Sequence, residues 1–268
     1  DEQKAIIFYT ALYHCFIHPS LAGDVDGKYR GRDFKVHQAN GFVPYTVFSL
    51  WDTFRGLHPL FTIIEQKRTT DILNTFLQQH KESGRLPMWE LSSNETNCMI
   101  GFHSVSVITD AMIKNIGGYD KNAIYNAMCA AASYTNWSIP KFNQDNFLQL
   151  DDESESVSKT LEYAYDNWCI AQIAKKLNKP KDYETYIKRA QAYKNVYDKK
   201  NNSESIVSVT TSSKIADGLQ EIGIKLGYSS NIGSSWDGNK KHNIQYRQRY
   251  SKNKIFPYLN RGTKTKTE

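Results

Sequence analysis

Apolar residues recur through residues 1–198 at i, i+3, i+4 and i+7, the spacing that lays one stripe along a helix. Leu161, Ala164, Tyr165, Trp168 and Ala171 form one such stripe. Ile72, Leu73, Phe76 and Leu77 form another, and Val105, Ile108, Ala111 and Met112 a third. Thr69 and Thr70 stand where a cap opens a helix, Gly84 where one closes, Gly117-Gly118 ends the next, and Pro180 marks a break before the last. The pattern predicts helices over 2–17, 50–64, 69–83, 98–116, 121–134, 154–177 and 181–197. Their short connections predict antiparallel pairs. Between the first two, GKYRGRDFKVHQANGFVPYT (27–46) is rich in Gly and aromatic residues and reads as a hairpin or a long functional loop.

Alternation along the chain has a spatial consequence. If the helices starting near 50, 98 and 154 run one way, those near 69, 121 and 181 return outside them. The starts of the first set, SLWDT (49–53), LSSNET (91–96) and LDDESES (150–156), then share one rim. The end of the first helix, with His14 and His18, and the loop carrying Asp24, Asp26 and Arg30 reach the same rim. Paired helices that gather acidic, aromatic and imidazole groups at one end are expected to build a pocket.

The rim residues allow more than one chemistry. Trp51-Asp52 followed by Arg55 joins a flat apolar face to a carboxylate, which a sugar needs for its C–H face and its paired hydroxyls. On the motif alone, Asp52 as a helix cap or as the partner of Arg55 outweighs that reading. Glu95 could act as a general acid or hydroxyl ligand, and equally as a first-turn carboxylate favoured by the helix dipole. Asp151, Asp152, Glu153 and Glu155 crowd one loop, but without EF-hand order or a central Gly they read as a solvated acidic cap. His14 and His18 share a helical face without the Glu of a zinc motif, so packed or hydroxyl-binding imidazoles are the better reading.

Composition and charge narrow the class. With 268 residues, 40% of them hydrophobic, the chain can bury one large core or two modest ones. No apolar run approaches the roughly 18 residues that span a bilayer. The opening DEQKAIIFYTALYH contains no signal peptide pattern. The net charge of +6 is unevenly spread: residues 1–198 carry −2 and residues 199–268 carry +8. The helical region therefore gives no electrostatic reason to expect a nucleic-acid partner. The tail, low in apolar content, is expected to be poorly structured and not a separate domain. Cys15, Cys98, Cys129 and Cys169 lie too far apart for a metal motif and read as free thiols. No GxGxxG, Walker A or GxSxG sequence is present.

Five blocks in order, FYTALYH (8–14), DVDGKYRGRD (24–33), YTVFSLWDTFRGLHPLFTI (45–63), GRLPMWELSSNETNCMIGFHS (84–104) and ESVSKTLEYAYDNWCIAQIAKKL (155–177), resemble the glycoside hydrolase family 92 α-mannosidases. The resemblance implies an all-α (α/α)6 toroid of antiparallel helix pairs, of which residues 1–198 would form part. It also implies a preceding β-sandwich domain, the remaining toroid helices, secretion or periplasmic location, and calcium-dependent, inverting hydrolysis of terminal α-mannosides. Trp51 and Asp52 would stand in its −1 sugar wall, and Glu95, Asp26 and Arg30, which the alternation of helices brings to the same rim, are the further candidate sugar-binding residues. Inversion needs an acid and a base roughly 6.5–9.5 Å apart. The family's acid and base blocks would follow Asp198 and are not found in 199–268, where Ser235-Trp236-Asp237-Gly238-Asn239 is a superficial echo. This chain is therefore expected to carry sugar-binding wall without the catalytic pair or the calcium ligands. A trehalase-like toroidal glycosidase and a non-catalytic glycan-binding remnant are the alternatives.

Overall fold

The computed structural model describes residues 1–149, 151–198, 205–210, 229–235 and 245–251. The chain divides into two compact units, Asp1–Ala192 and Tyr193–Glu268. The first unit opens with α1 (Glu2–Cys15), whose N-terminus is capped by the Asp1 carboxylate. A run of short strands follows: β1 (Ser20–Leu21), β2 (Lys28–Arg30), β3 (Val36–Gln38), β4 (Tyr45–Thr46) and β5 (Phe48–Ser49). β2 and β3 form the expected hairpin, with Tyr29 opposite His37, and β1 pairs antiparallel with β4. Then come α2 (Leu50–Thr53), α3 (Leu57–Ile64), α4 (Gln66–Ser83), β6 (Trp89–Leu91), β7 (Asn94–Glu95), α5 (Ser104–Ile113), α6 (Lys121–Ala131), α7 (Ile139–Asp145), α8 (Ser156–Lys176) and α9 (Pro180–Arg189).

Consecutive helices pack in pairs, α3 with α4, α5 with α6 and α8 with α9, while α5 also lies against α3 and α8. The result is a layer of paired helices centred on α5. One continuous core runs through it, from Phe48, Leu50 and Phe61 through Ile72, Phe76 and Ile108 to Ile124 and Ile170. Each such side chain, fully withdrawn from water, contributes about 1.5–3 kcal/mol. α4 buries Thr69, Ile72, Leu73, Phe76 and Leu77 as the spacing predicts, and ends at Gly84 in the left-handed conformation.

Several expectations change, and the helix expected over 181–197 ends at Arg189. The helix expected over 50–64 is split: α2 stops at Thr53 and α3 begins after Gly56. The helix expected from 98 begins at Ser104, because Asn97, Met99 and Gly101 hold positive φ angles of 54°, 70° and 81°, which no right-handed helix accommodates. Gly101 is required there twice over, since a Cβ would sit 2.4 Å from the His103 ring. α7 lies in a stretch read as a connection, and a three-stranded sheet, β5-β6-β7, is added at one end of the helices. On α8 the buried face is Tyr163, Ala164, Asn167, Cys169, Ile170, Ala171, Ile173 and Ala174, rich in small residues that let neighbouring helices approach. Tyr165 and Trp168, expected inside, are 36% and 43% exposed.

In the second unit, β8 (Tyr197–Asp198), β9 (Ser205–Thr210), β10 (Ser229–Ser235) and β11 (Gln245–Ser251) pair antiparallel in the order β10-β11-β9-β8. The rest of 199–268, on which the expectation of a poorly structured tail falls, lies outside the described residues, as do Trp236 to Asn239.

Candidate functional site

The β5-β6-β7 sheet brings distant parts of the sequence to one end of the helical layer. Ser49 pairs with Trp89, and Glu90 pairs with both Phe48 and Glu95. Because α2 follows β5 without a gap, Trp51 and Asp52 emerge directly from the sheet edge. The indole Nε1 of Trp51 donates to Glu162 Oε1 of α8 at 3.0 Å. The guanidinium of Arg55 lies over Trp51, 5.4 Å from the ring centroid, and over Phe54 at 4.5 Å. Asp52 is exposed and accepts from the Ser49 hydroxyl, so it partners neither Arg55 nor the α2 backbone among the described contacts. Tyr165 and Trp168 stack at 6.3 Å with an interplanar angle of 16°, and Tyr165 lies 5.4 Å from Phe54. These groups form an open wall: aromatic faces around one arginine and one carboxylate.

Beneath it is a buried charge relay. His103, 1% exposed, lies flat against Phe54 at 4.3 Å. Its Nδ1 is 2.9 Å from Asp166 Oδ1, whose other oxygen accepts from the Phe102 amide at 2.7 Å. Its Nε2 is 3.2 Å from Glu162 Oε2, off the axis of a hydrogen bond. Burial works against a charge on His103, but Asp166 and Glu162 outweigh it and raise the imidazole pKa to about 9. Burial also opposes ionisation of Glu162, and its contact with His103 prevails, holding it below the ordinary carboxylate range. For Asp166 burial is the larger influence and pushes it up in spite of His103. The cation is therefore secured by two carboxylates rather than by one ideal pair.

The other residues singled out in the sequence are engaged differently. Glu95 accepts from the amides of Met88 and Trp89 at 2.9 Å each and lies 3.5 Å from Arg32, which is itself buried. Arg30 reaches the same end through its backbone, its carbonyl accepting from the Ser93 hydroxyl, while its guanidinium covers Phe34. Asp26 is exposed and bonds the amide and ammonium of Lys28, which lower its pKa. His14 lies in the last turn of α1, and His18 bonds Ser20. In the acidic loop Asp152 accepts from the Gln149 amide, and Glu153 engages Lys159 and Ser138. No group of three or more His, Cys, Asp or Glu side chains among the described residues is disposed to hold a metal ion. No helix among them is long and apolar enough to cross a membrane.

Sequence reasoning missed His103, Glu162 and Asp166. Glu162 and Asp166 are four apart on a helix and so share a face, which was the available signal. Their common partner, His103, lies 59 residues before Glu162 and 63 before Asp166 and carries no local pattern.

The layer of paired helices fits part of a helical toroid, and comparison with known proteins gives its class as a glycoside hydrolase. The chain belongs to glycosyl hydrolase family 92: the family's catalytic domain matches residues 1–254. The family GH92 α-mannosidase BT3965 from Bacteroides thetaiotaomicron, solved with mannoimidazole, superposes with a TM-score of 0.71 at 44% identity, over 74% of this chain and 26% of that one. The inverting mannosidase BT2199 from the same organism gives 0.66 at 31% identity, over 71% and 27%. An uncharacterized secreted glycosidase of Arthroderma benhamiae is 26% identical over 162 residues, 54% of this chain and 20% of that protein. The chain thus spans about a quarter of the length of the solved relatives.

Proposed function

We propose that this chain supplies one wall of the sugar pocket of an inverting exo-α-mannosidase, with Trp51 offering a stacking face and Asp52 a hydroxyl acceptor. The observation that supports this reading is the wall itself: the exposed Arg55, Tyr165 and Trp168 gather beside a half-buried Trp51 at one end of the helical layer. Pyranoside recognition combines aromatic faces with charged acceptors in this way. Asp26, Arg30 and Glu95 serve the site from behind, by holding the β2–β3 hairpin and the β6–β7 turn in place.

Hydrolysis by inversion needs a carboxylic acid on one side of the glycosidic bond and a base with water on the other. Glu95 is committed to backbone amides and Arg32, and no step is assigned to it. Calcium dependence belongs to this reading for a whole family 92 enzyme, with ligands other than the residues described above. A secreted or periplasmic location and an α-mannoside glycan as substrate complete it.

The test is purified chain with an activated α-mannoside and the matching α-glucoside, with and without calcium. Binding of the mannoside without turnover is expected. Turnover abolished in Glu95→Gln would show that the acid lies here. Preference for the glucoside would favour the trehalase-like alternative.

A further inference from the structure

We propose that Glu162 is a further carbohydrate-binding residue of this wall, an acceptor for neighbouring hydroxyls, and that the buried Asp166–His103 pair positions it. The inference rests on the carbohydrate reading above, and it starts from a surplus of charge. Asp166 and His103 already complete one another: the Phe102 amide satisfies one carboxylate oxygen and the imidazole the other. Glu162 adds a second carboxylate to a cation that already has one. The three groups together carry a net negative charge, and desolvating an extra carboxylate is costly unless something uses it.

Geometry indicates what uses it. A carboxylate offers about four lone-pair directions. Trp51 occupies one of Oε1, and the His103 Nε2 contact to Oε2 is an ion pair without hydrogen-bond alignment. The Glu162 side chain keeps 20% of its surface exposed, whereas Asp166 keeps none. Its free acceptor directions therefore open on the side where Trp51 stands under Arg55 and where Tyr165, one turn further along α8, stacks on Trp168. Hydroxyl donors fit this carboxylate better than a cation does, since Arg55 stands nearby and helps to lower its pKa. His103 and Asp166, buried below, touch no ligand. Their part is to keep Glu162 ionised and turned toward Trp51, and so to fix the indole ring as well.

Two readouts separate the halves of the proposal. The first needs no ligand. The indole N–H resonance of Trp51 is followed by NMR from pH 7 to 10. Facing His103 are Asp166, Glu162 and Tyr165 from α8, with Arg55 beyond Glu162; the Tyr165 phenol is pushed above its ordinary range by burial and lies outside this window. The resonance should move with a midpoint near 9 in the wild-type chain, and the movement should vanish in Glu162→Gln, which keeps the amide oxygen but loses the charge. No movement, or the same movement in both, overturns the positioning role. The second readout is affinity for methyl α-mannoside or mannoimidazole. Glu162→Gln should weaken it about tenfold, as expected when a charged acceptor becomes neutral, and unchanged affinity overturns the binding role. If the wild-type chain binds neither compound, the binding role falls together with the carbohydrate reading, and the ligand-free titration still decides the positioning role.

Discussion

Raising the pH from 6 to 9.5 should remove a defined share of the stability of the helical unit, and His103 is the reason. An ordinary imidazole titrates near 6.5, and in the folded protein this one titrates near 9. The folded state therefore binds its proton more tightly than the unfolded chain does. The stabilisation is complete below pH 6.5, declines between 6.5 and 9, and is gone above 9. At about 1.4 kcal/mol for each tenfold difference in proton affinity, it amounts to about 3 kcal/mol. That is a large fraction of the 5–15 kcal/mol typical of a folded domain. Urea unfolding followed by helical circular dichroism at several pH values, in wild type and His103→Gln, measures it. Cys169, whose thiol is raised by burial to about 12, and the buried tyrosines also lose stability as the pH climbs, but they do so in both proteins. The difference between the two proteins should shrink by about 3 kcal/mol across the range. A constant difference, or one that grows with pH, would refute the protonated relay.

Other substitutions have separate expectations. Glu82→Ala removes acceptors for the Tyr29 hydroxyl and the Arg32 amide, both at 2.8 Å, and should cost about 2–4 kcal/mol while making 27–46 the first site of proteolysis. Phe76→Ala opens a cavity in the fully buried core of α4 and should cost about 3–5 kcal/mol in urea unfolding. Asp120→Ala deletes the cap that accepts from the Asn122 and Ala123 amides at the start of α6 and should cost about 1 kcal/mol, with helix content nearly unchanged.

Helices were legible in the sequence wherever a single face was buried. α4 is the clearest case, with its stripe and its closing glycine both in place. α8 was misread because it bears apolar residues on two sides: alanines and Ile170 point inward, while Tyr165 and Trp168 stay open. Periodicity reports that a residue is apolar and cannot say which neighbour it meets. The placement of Trp51, Asp52 and Glu95 at one end follows from the β5-β6-β7 sheet, whose strands are two or three residues long and too short to leave an alternating pattern. The His103 relay was invisible for a different reason. It joins the residue before α5 to the middle of α8, a contact set by helix packing and not by any local spacing.

Eight of the ten residues of α5 are buried, whereas α1 buries none. That contrast sets a hierarchy in time. Amides of α1 should exchange with solvent through local fraying, while those of α5 should exchange only when the whole helical unit opens. His103 stands immediately before α5 and is hydrogen-bonded to α8, so the open wall above it rests on the slowest-exchanging part of the molecule. A recognition surface anchored there should keep its shape on the timescale of ligand exchange, independently of fraying in α1.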